Sequence, residues 1–145
     1  MKKIILILIT NIFLIPSATA RDSIGSYSID EAMSLEKSKS ALGNDISFYF
    51  GDQKHSKIEK NFGEYKTNRK TNAFNKTDKE ACQWVFLSAM ISLRDRARSE
   101  GGNAVINIKS NYKNNLTSSD DSFQCGAGAL IAGVALVGSV VKLKE

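Results

Sequence analysis

Few residues in this chain carry side chains that could do chemistry. Cys82 and Cys125 are its two cysteines, His55 is its single histidine, and Asp120-Asp121 is an adjacent acidic pair. Two cysteines offer a disulfide, two buried thiols or part of a metal site. One histidine and two cysteines at these separations match no zinc spacing, so no metal ligands are assigned. A Ser-His-Asp enzyme would need His55 as its base, yet no G-x-S-x-G elbow is present. Catalysis by a Cys-His pair would need a free thiol. Adjacent carboxylates in a Ser-rich loop usually form turns, not a pair held across a cleft. A lone histidine among lysines is more often a solvated loop residue than a base, because no partner is placed beside it. No catalytic residue, cofactor or metal is therefore expected. An enzyme of unknown type using His55 stays as the alternative.

The compartment decides between the readings of the cysteines. Lys2 and Lys3 precede a short apolar run, Ile4 to Ile15, and Pro16 ends it. Ala18-Thr19-Ala20 fits the small-x-small cleavage rule, so residues 1–20 read as a secretory signal peptide. The run is shorter than the roughly 20 residues a membrane-spanning helix needs. Arg21 follows the site, so no lipidated cysteine stands there. A periplasmic or secreted product is expected, and the disulfide Cys82–Cys125 becomes the simplest reading of the pair.

Residues 21–145 are the right length for a single domain. Without Lys2 and Lys3 the formal charge of +5 falls to +3, a mild excess. Export sets nucleic acid aside as a partner. A run of cations, Lys54, Lys57, Lys60, Lys66, Arg69 and Lys70, is the candidate patch for an anionic partner. Scattered lysines also serve simply as a solvated face.

The elements that must position these residues centre on 77–112. Thr77 followed by Glu80 has capping-box spacing. Cys82, Phe86, Met90, Leu93 and Ala97 recur at helical spacing, and Trp84, Leu87 and Ile91 are expected to widen the buried face. Gly101-Gly102 suits the left-handed end of a helix. A strand follows at once, and its alternation places Ala104, Ile106 and Ile108 against the helix, with Asn103 bonding local backbone. Ser28 to Gly43 reads as one short amphipathic helix, and Asp45 to Phe50 as a strand with Ile46, Phe48 and Phe50 buried. Gly63 to Lys70 reads as an edge strand, and Lys113 to Ser122 as a loop or long hairpin turn. Phe123 to Val141 is uncharged and interrupted by four glycines. Buried strands are favoured over a membrane helix that would make this a tail-anchored protein.

Several motifs carry a resemblance. Ala81-Cys82-Gln83-Trp84, Gly101-Gly102-Asn103-Ala104-Val105, Cys125-Gly126-Ala127-Gly128-Ala129 and Gly133-Val134-Ala135-Leu136 resemble a family of small exported bacterial proteins. Phe48-Tyr49-Phe50-Gly51 and Arg69 to Phe74 look like the same family. Its members are often labelled an excinuclease ATPase subunit, although this chain has no G-x-x-x-x-G-K-[ST] loop to hold phosphates. More distantly, the order of helix, Asn-Ala-Val strand and Cys-containing strand resembles the periplasmic domain of the Rcs-type envelope-stress lipoprotein. It also resembles small domains called heavy-metal-binding. These resemblances imply an α+β fold, a long helix packed on a small antiparallel sheet, with one disulfide. The expected function is that of a non-enzymatic envelope protein binding a protein partner or an anionic envelope component.

Overall fold

The computed structural model describes residues 22–145. The leader expected at 1–20 lies outside the described residues. The fold is α+β: a seven-stranded sheet with a long helix on one face and two short helices beside it.

The long helix, α3 (Asp78–Glu100), begins and ends where the sequence says it should. The Thr77 side chain accepts from the Glu80 amide at 3.1 Å. Gly101 closes the helix in the left-handed region at φ 80°, and the Gly102 amide donates to the Ala97 carbonyl at 2.9 Å. Cys82, Phe86, Met90, Leu93 and Ala97 are all buried, and so is Leu87. Trp84 is not; it is 48% exposed, with the Lys37 ammonium 4.3 Å above its ring. At about 100° per residue, position 84 lies roughly 200° round from Cys82 and faces away from the sheet.

Ser28 to Gly43 forms two helices rather than one: α1 (Ile29–Ser34) and α2 (Glu36–Leu42). Leu35 between them is extended, with ψ 137°. On one straight helix Ala32 and Leu42 would point about 80° apart. The break lets both reach the core, where each is buried. No glycine or proline marks it in the sequence.

The strands are β1 (Asp22–Ser28), β2 (Ser47–Phe50), β3 (Ile58–Asn72), β4 (Ala104–Tyr112), β5 (Asn115–Thr117), β6 (Ser122–Gly128) and β7 (Ile131–Leu143). The uncharged tail is thus a hairpin of two strands. Among the described residues no helix is long and apolar enough to cross a membrane. β7 is shared by three partners: β3 runs along it from Ile131 to Leu143, and β4 and β6 also pair with it. β3 is longer than expected and takes up Thr71 and Asn72. β1, which pairs with β6, escaped the sequence reading altogether. All pairings are antiparallel except β2 with β4, which are parallel because α3 lies between them in the chain as a crossover.

β4 contains the one large inversion of expectation. Asn107 takes φ 54°, and the pairing with β7 shifts between Ile106 and Lys109. This bulge breaks the two-residue alternation. Val105 and Ile108 therefore share the face packed under α3, while Ala104 and Ile106 lie in a separate cluster with Val141, Leu143 and Tyr49. Ala104 is small for the sake of that second cluster, not for the helix. Asn103 also differs from expectation. Its side chain bonds the Leu143 backbone twice, accepting at 2.7 Å and donating at 3.0 Å, forty residues away.

The main core lies between the sheet and the helices. Phe86 of α3 stacks on Phe123 of β6 with centroids 4.1 Å apart, and Tyr27 and Phe50 approach from either side. The disulfide Cys82–Cys125 joins α3 to β6 in the same layer, with both residues fully buried.

Candidate functional site

Of the six cations singled out in the sequence, Lys54 and Lys57 lie in the connection before β3, and those on β3 divide between the two faces of the sheet. Thr67 is buried under α3, and Tyr65 packs against the same core. Strand alternation sends Arg69 to that side as well, and its guanidinium donates to the Ser92 hydroxyl of α3 at 2.9 Å. Lys66 and Lys70 then point to the opposite, outer face. Register places Lys66 beside Val137, and Val137 beside Lys109 of β4. Lys66 and Lys109 thus flank one valine at two strand spacings, about 10 Å. Lys70 lies opposite Gly133, roughly 13 Å further along the same strand. Val137 and Ala135 are buried on this face, consistent with the methylene stems of neighbouring lysines lying over them.

Lys54 and Lys57 are exposed in the connection from β2 to β3, and the Lys57 carbonyl accepts from the Lys144 amide at 2.9 Å. Lys60 stands 5.0 Å over the Phe62 ring. His55 is exposed in the same connection; its ring meets Tyr49 edge-on at 5.6 Å, and its Nδ1 lies 2.8 Å from the Ser56 carbonyl oxygen. No carboxylate or cysteine contacts it among the described residues. Asp120 accepts from the Asp52 amide at 2.8 Å, and Asp121 bonds Ser119, so both acids hold loops together.

Charges behave differently on the two faces. On the helix side, four cations have carboxylate partners. Arg98 grips Asp45 through two bonds of 2.7 and 2.6 Å, Arg94 meets Asp95 at 2.7 Å, and Lys79 meets Glu31 at 2.5 Å. The Arg98 guanidinium holds the Asp45 carboxyl below its ordinary range, and Asp45 in turn raises Arg98. A groove of about 370 Å³ between β3 and α3 is lined by Tyr65, Thr67, Ser92, Arg96 and Ser99, among others. Its cation is also engaged: Arg96 lies 4.7 Å over the Tyr65 ring and 3.6 Å from Glu100. Burial, then Glu100, pushes the Tyr65 hydroxyl up. On the outer face, Lys66, Lys70 and Lys109, with Lys54 and Lys57 in the connection, make no ion pair among the described residues. Glu64, opposite Ser139, is the acid that shares this face of β3.

One more feature marks the outer face. The Tyr112 ring lies over Gly126 and Gly133, where a Cβ at either glycine would meet it. Sequence reasoning missed Lys109 and Tyr112 as members of this surface. The signal available was Asn107, one of the residue types that tolerates the left-handed region inside a strand. Among the described residues no group of three His, Cys, Asp or Glu side chains could hold a metal ion.

No protein-family model matches this chain, and neither a curated protein nor a solved structure matches it.

Proposed function

We propose that the protein is an exported, non-enzymatic envelope protein that binds an anionic envelope component on the outer face of its sheet. The observation that carries this reading is the contrast in charge pairing. On the helix side Lys79, Arg94, Arg96 and Arg98 have carboxylate partners, whereas Lys66, Lys70 and Lys109 have none among the described residues on a continuous sheet surface. An unpartnered set of ammonium groups on a rigid platform attracts a polyanion at small conformational cost, because the strands already fix their spacing. The buried disulfide suits an oxidising compartment, and the leader motif at residues 1–20 supplies the route.

The test is retention on immobilised dextran sulfate under a salt gradient. Wild-type protein is expected to elute well after the variant K66E/K70E/K109E, whose melting curve should be unchanged. Co-elution of the two proteins would end the reading. His55→Ala is expected to leave retention unchanged.

A further inference from the structure

The end of the molecule formed by the β6–β7 hairpin is apolar and open. Leu130 and Ile131, at the turn and the start of β7, are 63% and 57% exposed. Phe74, in the loop that leaves β3, is 59% exposed. The two segments are tied into one projection: the Ala73 amide donates to the Leu130 carbonyl at 2.8 Å, and the Phe74 amide donates to the Asn72 side chain at 2.8 Å. Phe74, Leu130 and Ile131 line a shallow depression of about 550 Å³ whose remaining walls are Lys70, Thr71 and Asn72. Large apolar side chains held out together at a tip mark a contact surface.

We infer that this tip docks on an anionic lipid surface. Two observations choose lipid over a second protein. The tip offers three large apolar side chains, well short of the roughly 800 Å² per partner that stable protein interfaces bury. Its flanks are basic: Lys70 borders the depression, and the Lys76 ammonium sits 3.0 Å from the Asn72 carbonyl oxygen. Apolar tips flanked by lysines dock this way by combining buried area with attraction to anionic headgroups.

This contact is separate from polyanion binding on the sheet, and different residues test it. The protein used begins at Arg21, since the core, the disulfide and every described element lie within 22–145. It is mixed with vesicles of phosphatidylethanolamine and phosphatidylglycerol, sedimented, and assayed in pellet and supernatant. Wild type is expected in the pellet. L130S/I131S is expected to lower the partition coefficient about tenfold or more, the effect of losing two exposed apolar anchors. K66E/K109E, away from the tip, is expected to keep most of the binding, and W84S, an exposed aromatic elsewhere, all of it. Circular dichroism melts confirm that the variants fold. Wild type left in the supernatant overturns the proposal, as does equal sedimentation of wild type and L130S/I131S. A dimer on gel filtration that L130S/I131S converts to monomer, without vesicle binding, also overturns it and makes the tip an interface between copies.

Discussion

The two faces of the sheet solve the same problem in different ways. The inner face is closed by α3, α1 and α2 over a continuous core, fastened by the Cys82–Cys125 disulfide. The outer face has no helix. Its cluster of Ala104, Ile106, Val141 and Leu143 is roofed by Tyr49, with His55 against that ring, and further along the strands lysines flank the buried valine. An antiparallel surface can afford this, because one buried face suffices to fold it. The difference separates the face that carries most of the stability from the face proposed for binding. Residues under α3 should be expensive to change, and residues on the outer face should be cheaper to change.

The sharpest break in that comparison would come from Phe86. Phe86→Ala removes one half of the Phe86–Phe123 stack and is expected to cost about 3–5 kcal/mol in urea unfolding. A loss below about 0.5 kcal/mol would show that the helix side does not carry the core. Reduction of the disulfide follows. Its 43-residue separation gives about 4 kcal/mol in the chain-entropy estimate, an upper value, so a drop of about 2–4 kcal/mol is expected after reduction and alkylation. Ile106→Ala probes the outer cluster and is expected to cost about 2 kcal/mol, the lower end for its type, since few neighbours surround it. If Ile106→Ala matched Phe86→Ala, the two faces would be equal partners in stability.

Gly101→Ala should be smaller again, about 1 kcal/mol, because alanine is strained at φ 80°. The Asp45–Arg98 pair gives the smallest effect, since both groups are largely exposed and screened by solvent. Asp45 has a folded pKa below its ordinary 3.8, so its contribution is fully present above that pH and fades as pH falls through the folded value. Melting temperatures of wild type and Asp45→Asn should therefore differ by a constant small amount above pH 3.8 and converge below it. A difference that grows as pH falls would reverse the assigned sign.

Much of the inner face was legible in the sequence because its signals are local. The Thr77–Glu80 spacing, the stripe from Cys82 to Ala97 and the Gly101 stop each act within a turn or two of helix. The alternation that read the outer face failed at a single residue. Asn107 inserts a bulge, and a one-residue slip exchanges every side chain between faces. Val105 went to the helix and Ala104 and Ile106 away from it. Trp84 was misread because width was given to a stripe without checking its angle. The break at Leu35 and the reach of Asn103 to Leu143 depend on distant contacts, which no local pattern announces. Lys66 and Lys70 were found as cations, but their face follows from register with β7, and register is a tertiary fact.

The sharing of β7 by three partners has a consequence for vectorial synthesis. Of the described elements it leaves the ribosome last, and β3, made some sixty residues earlier, pairs with no other strand. Until residues 131–143 emerge, β3 has no edge to join, and the hydrophobic face of α3 lacks much of its floor. Pairs such as β1 with β6 and β2 with β4 can form beforehand, but they remain unjoined. The sheet therefore closes only when the chain is nearly complete. Such long-range closure slows folding. Until its final strand appears, the chain therefore has no closed sheet to resist being pulled out straight.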